Sequence, residues 1–160
     1  MRILMVYPKY PDTFWSYKYA LRFIRKKEAL PPLGLLTIGA MLPEEWPIKL
    51  VDLNVSKLTD EDLAWAELVF VSAMAIQRES AREIIARCKD TGKRIVAGGP
   101  LFSSEYDQFE DVDHFILNEA ELTLPPFLAD MEKGKTKRIY QDSSFCDIRK
   151  TPSPKWELIN

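Results

Sequence analysis

Short apolar runs recur along the chain, set apart by stretches of helical length. Arg2-Ile3-Leu4-Met5-Val6-Tyr7 is an apolar run closed by Pro8, the pattern of a central strand buried on both faces. Ile48 to Asp52, Leu68 to Ser72, Arg94 to Ala97 and Asp113 to Leu117 repeat it. Between them, Pro32 to Leu42 begins with proline where a helix tolerates it and stops before Pro43. Thr59-Asp60-Glu61-Asp62 supplies an N-cap and a first turn of acids, which suit the positive end of a helix dipole. Gln77 to Asp90, with Ile76, Ser80, Ala81, Ile84, Ile85 and Cys88 on one stripe, predicts a helix ending near Gly92. Ala120 to Lys133 has helical length, with Pro125-Pro126 expected to delay or kink it.

Strands alternating with helices predict a parallel sheet joined by right-handed crossovers. The expected fold is α/β: a flavodoxin-like (Rossmann-like), doubly wound, five-stranded parallel sheet in three α/β/α layers over residues 1–133. Residues 134–160 read as a linker, with one short strand candidate (Arg138 to Gln141) followed by Pro152, Pro154 and polar residues. The connection from Pro8 to Pro31 is also irregular, about two dozen residues against a usual ~2–6. It holds Tyr10, Phe14, Trp15, Tyr17, Tyr19 and Phe23 beside Arg22, Arg25, Lys26 and Lys27. A lid or docking surface and a short amphipathic helix covering the sheet both fit it.

Composition narrows the function classes. With 160 residues, 46% apolar and 29% charged, the chain suits one soluble globular domain. Aromatic residues among basic ones can stack on single-stranded nucleic acid, but a net charge of -2 argues against that partner. No apolar run has membrane-spanning length, and Met1-Arg2 leads into a strand, not a signal peptide. Cys88 and Cys146 form no CxxC and no secreted-type framework. These features predict a cytoplasmic protein.

In an open parallel sheet, ligands bind at the carboxyl ends of the strands. Gly98-Gly99-Pro100, the only adjacent glycine pair among six glycines, stands there and permits close approach to the backbone. The other strand ends deliver Tyr7-Pro8, Asp52-Leu53-Asn54-Val55-Ser56, Ser72-Ala73-Met74 and Asn118-Glu119-Ala120-Glu121. Small residues in the third and fourth loops leave room for a large or flat ligand. There is no G-x-G-x-x-G for a dinucleotide and no G-x-x-x-x-G-K-[ST] for a nucleoside triphosphate. Tyr7-Pro8 offers neither the carboxylates of a phosphoacceptor domain nor the phosphate loop of a flavodoxin.

Pro31-Pro32-Leu33-Gly34-Leu35-Leu36, Val51-Asp52-Leu53-Asn54-Val55, Val71-Ser72-Ala73-Met74, Ala97-Gly98-Gly99-Pro100 and Glu119-Ala120-Glu121-Leu122-Thr123-Leu124 occur in this order. Together they resemble the N-terminal cobalamin (vitamin B12)-binding domain of cobalamin-dependent radical S-adenosylmethionine (SAM) proteins. The segment Thr151-Pro152 to Trp156 is similar to that family's connector into its radical SAM barrel. The resemblance implies that the nucleotide tail of cobalamin inserts among Asn54, Val55, Ser72, Ala73, Met74, Gly98, Gly99 and Pro100. Ser72 would donate a hydrogen bond, the glycines would form a floor, and Glu119 and Glu121 would orient amides or cap the last helix. Asn118 and Ala120 stand where many relatives have glycine, and their side chains narrow the site. Plain structural roles stand beside these: Ser72 ending a strand, Asp52 and Asn54 forming an Asx-turn, Glu121 complementing a helix dipole.

The Asp-x-His-x-x-Gly motif of related cobalamin enzymes is absent, and the single histidine, His114, reads as a partly buried structural residue. Cobalamin is therefore expected to bind without a protein histidine on cobalt. A radical SAM cluster needs C-x-x-x-C-x-x-C. Counting back from Cys146 meets Ser143 and Ile139, so no cluster can assemble here, and the resemblance implies that the iron–sulfur cluster and SAM belong to an absent C-terminal domain, the implied partner. Cys146 then reads as a lone linker thiol and Cys88 as a buried helix residue. Three functions remain open: a cobalamin module for methyl or related radical transfer, a degenerate domain docking a substrate or partner without cofactor, and a flavin or nucleotide binder.

Overall fold

Ile3–Tyr7 forms β1, and alternation of side chains divides it between two cores. Leu4 and Val6 enter one cluster, and Ile3, Met5 and Tyr7 enter the other. The molecule is described here by a computed structural model covering residues 1–11, 21 and 30–159. Further strands are β2 (Ile48–Asp52), β3 (Leu68–Ser72), β4 (Arg94–Gly98), β5 (His114–Asn118) and β6 (Ile139–Asp142). They form a six-stranded sheet in the order β2-β1-β3-β4-β5-β6, with every pairing parallel. Helices α1 (Leu33–Met41) and α5 (Ala120–Glu132) cover one face. Helices α2 (Asp60–Trp65), α3 (Arg78–Asp90) and α4 (Pro100–Glu105) cover the other.

The sheet has six strands rather than the five expected. The sixth is the short candidate in the tail, paired to β5 from Phe115↔Ile139 to Asn118↔Asp142. Only Tyr140 of this edge strand is buried, so its apolar signal was thin beside the prolines that follow. The Tyr140 hydroxyl donates to Asp130 Oδ2 (3.0 Å) and accepts from the Lys137 amide (2.8 Å), which fixes β6 to α5.

Local signals account for the helices. At α2, Thr59 Oγ1 accepts from the Asp62 amide and Asp62 accepts from the Thr59 amide, both at 3.1 Å, a reciprocal cap. Helix α3 begins at Arg78 after a short 3-10 turn, and Ile76 is exposed rather than on the buried stripe. The expected delay at Pro125-Pro126 does not occur, because α5 starts at Ala120 and carries both prolines on its exposed side. Helix α4 was not predicted, although Gly99 as N-cap and Pro100 at the first position are its sequence signal. The aromatic and basic residues Phe14, Trp15, Tyr17, Tyr19, Arg22, Phe23, Arg25, Lys26 and Lys27 lie outside the described residues.

Candidate functional site

All six strands end on one edge, and the neighbouring strand ends there differ in kind. At the switch point between β1 and β3 the edge is filled. Tyr10 sits edge-on to Tyr7 with ring centroids 5.9 Å apart, and their hydroxyls are 2.5 Å apart. The Tyr10 amide donates to Asn54 Oδ1 (2.8 Å), and its hydroxyl lies 3.5 Å from Met74 Sδ. Buried Gln77 donates to the Pro8 carbonyl (2.5 Å) and accepts from the Met74 amide (2.9 Å). Burial, then the hydrogen bond to Tyr10, holds the Tyr7 phenol above its usual range. This is where a flavin phosphate binds in doubly wound sheets, and here protein occupies it.

Among the described residues, the edge over β3, β4 and β5 is open. A cleft of ≈ 230 Å³ runs between α1 and the start of α5. Its walls include the apolar Leu35, Ile38, Phe70, Val96 and Ile116, and its rim carries Ser72, Asn118, Glu119 and Glu121. Three glycines line it, and two of them allow neighbouring groups to pack closely. A Cβ on Gly98 would lie 2.8 Å from the Ile116 carbonyl oxygen, and one on Gly99 2.7 Å from Ser72 Oγ. Gly99 has φ +89° and ψ 177°, a conformation that is essentially glycine's own. Among the described residues, a Cβ on Gly34 of α1 would meet only Ser72 Oγ, at 4.0 Å. A second cleft of ≈ 360 Å³ adjoins the first through Gly99, Asn118 and Glu119, and continues past Pro100 and Ser103 to Asp142–Phe145.

The residues singled out from sequence therefore separate. Ser72, Gly98, Gly99, Asn118, Glu119 and Glu121 converge on the first cleft, and Pro100 borders the second. Asn54 forms the Asx-turn on Asp52, with its amide 2.9 Å and its Nδ2 2.8 Å from Asp52 Oδ1, and it braces the filled region. Val55 is exposed, Met74 contacts Tyr10, and Ala73 is buried beneath the β4 turn. Asn118 adopts φ +64°, the left-handed region that asparagine tolerates better than most residues. Its Nδ2 donates to the Asp142 carbonyl at 2.8 Å. Sequence reading missed the α1 wall, whose signal is an almost wholly apolar helix with Gly34 in its first turn. His114 is remote in role: its Nδ1 contacts the Lys137 carbonyl (2.7 Å) and its ring packs on Phe127.

After β6 the chain returns to the cleft. Cys146 Sγ donates to Glu119 Oε2 (3.5 Å), and Thr151 Oγ1 donates to Glu121 Oε1 (2.9 Å). Desolvation, then the bond to Glu119 and the charge of Glu121, raise the Cys146 thiol above its usual range. One ligand-type atom from each of Glu119, Glu121 and Cys146 lies within 4.8 Å of the others.

Fold and cleft define an α/β, Rossmann-like domain with a ligand-sized slot at its carboxyl edge. The chain is 42% identical over 161 residues to an uncharacterized methyltransferase of Synechocystis sp., covering 99% of this chain and 30% of that protein. It is 33% identical over 162 residues to the hopanoid C-2 methylase of Rhodopseudomonas palustris, covering 98% of this chain and 31% of that protein. The chain thus spans about 30% of the length of the curated relatives it matches. No family model matches it, and no solved structure matches it. Among the described residues, no helix is long and apolar enough to cross a membrane.

Proposed function

We propose that this domain binds cobalamin by its nucleotide tail, as the cofactor module of a longer methyl-transferring protein. The observation that carries the reading is the slot between α1 and α5, apolar inside, polar at its rim and lined by Gly34, Gly98 and Gly99. Its ≈ 230 Å³ admits a bicyclic aromatic base but not a macrocycle. Ser72 is positioned to donate to such a tail, and the Glu119 and Glu121 carboxylates to accept from amide N–H groups at the rim. No histidine lines the cleft, so the module would hold the cofactor without a protein histidine on cobalt. A bound corrinoid would supply cobalt-centred methyl transfer. The methyltransferase and methylase names of the relatives support that chemistry, and their greater length leaves room for a radical SAM domain with its iron–sulfur cluster. The rival reading is a docking domain that keeps the fold without a cofactor. It rests on Asn118, whose side chain stands at the rim.

Titration with methylcobalamin, followed by absorbance, separates the two. The expected result is saturable binding with a base-off spectrum. Gly34→Phe is the control variant: its Cβ makes only an ordinary contact, so the protein folds while the ring fills the slot. It should weaken binding by about 100-fold, or ~2.7 kcal/mol. Absence of binding by the unsubstituted protein up to hundreds of micromolar would sink the cofactor reading.

A further inference from the structure

The segment after β6 has a pattern of contacts that packing alone does not explain. Its large apolar side chains mostly face outward, with Phe145 91%, Ile148 80% and Trp156 52% exposed. A few tethers hold it instead. Two are the bonds from Cys146 to Glu119 and from Thr151 to Glu121. A third is the Lys155 amide, which donates to the Leu36 carbonyl of α1 at 3.0 Å. Beyond it, Leu158 packs against α1 so closely that a Cβ on Gly39 would lie 2.9 Å from Leu158 Cδ1.

Each of these anchors belongs to an element that walls or rims the cleft. Glu119 and Glu121 rim it directly, and α1 supplies the opposite wall through Gly34, Leu35, Thr37 and Ile38. A carboxylate only accepts hydrogen bonds, so the donors of the segment and the donors of a ligand meet at the same two carboxylates. Seating a ligand between α1 and α5 also acts on both supports of the segment at once. We infer that residues 143–159 are a strap latched to the cleft's two glutamates and to α1, and that filling the cleft releases it. The inference rests on the corrinoid reading above and adds its regulation: occupancy of the slot sets the position of the chain leaving β6. Coupling of this kind is reciprocal, so weakening the latch must tighten the ligand by the factor with which the ligand weakens the latch.

Hydrogen–deuterium exchange of the 150–159 segment, above all the Lys155 amide, reads the latch. Methylcobalamin is the probe, with saturation checked by absorbance. Saturation is expected to speed exchange at Lys155 by about 5-fold or more, the lower range of allosteric couplings. Thr151→Val, which removes one tether and keeps the side-chain shape, should speed the same exchange without ligand and tighten methylcobalamin by a matching factor. Maleimide labelling gives a second readout, since Cys146 should react faster in both cases while Cys88 stays buried. Binding with unchanged exchange would overturn the strap and leave the cofactor reading standing. Faster exchange in Thr151→Val with unchanged affinity would overturn the coupling. No binding at all would overturn the cofactor reading, and the coupled strap with it.

Discussion

Two halves of one sheet edge show how the same backbone can be closed or open. At β1 and β3 the loops meet through side chains with both donors and acceptors: Tyr7 with Tyr10, Asn54 with Tyr10 and Pro8, Gln77 with Pro8 and Met74. At β4 the turn carries no such side chain, because Gly98 and Gly99 occupy it and Gly34 faces it, and at the end of β5 Asn118 and Glu119 bond to Asp142 and Cys146 rather than to the β3 and β4 loops. A pocket in this architecture depends on which strand ends are left without side chains. The switch point is where binding is usually expected, and here it is sealed from within. The slot lies beside it.

The largest test of this contrast is Gly99→Val. The backbone at φ +89° and ψ 177° is closed to valine, and its Cβ would meet Ser72 Oγ at 2.7 Å and the Ala73 carbonyl at 3.1 Å. Strain and overpacking together should lower stability by about 3 kcal/mol, read by urea denaturation. Stability within ~0.5 kcal/mol of the parent would mean that the turn does not depend on glycine. On the closed half, Gln77→Leu should cost about 2 kcal/mol, because it takes the acceptor from the Met74 amide and the shorter of two bonds from the Pro8 carbonyl, which keeps Asn54. Its affinity for methylcobalamin should stay within roughly 2-fold of the parent, as effects at separate sites add. A large loss of affinity would show that the two halves form one site.

Much of the open half was legible in the sequence, and most of the closed half was not. β2 and β3 match the predicted runs to the residue; β3 is buried almost throughout and leaves an unbroken apolar signature, whereas β2 is an edge strand with only Val51 and Asp52 buried. The glycine pair and the Ser72 and Glu119 loops could be placed at the rim because strand ends alone put them there. The seal could not be foreseen. Its bonds join Tyr10 to Asn54 and Pro8 to Gln77, 44 and 69 residues apart, and no periodicity encodes such a pairing. Strand β6 and the return of the tail to α1 escaped for a related reason. An edge strand with one buried residue and a strap held by a few polar tethers leave almost no apolar pattern.

The smallest effect concerns the phenol pair, and pH exposes it. Tyr7→Phe removes the hydroxyl contact with Tyr10 but keeps the ring, so it should cost about 1 kcal/mol near neutral pH. The folded protein holds the Tyr7 phenol above its free value because burial opposes the phenolate, and the bond to Tyr10 adds to this. Raised in the folded state, this group contributes stability that is full below the unfolded phenol's pKa of about 10 and fades as pH rises beyond it. The parent should therefore lose its advantage over Tyr7→Phe in urea denaturation as pH passes about 10. Burial also pushes the Cys88 thiol up to about 11, but that slope is common to both proteins and cancels in their difference. A gap that stays constant into the alkaline range would mean that water reaches Tyr7, and the closed half would then be open as well.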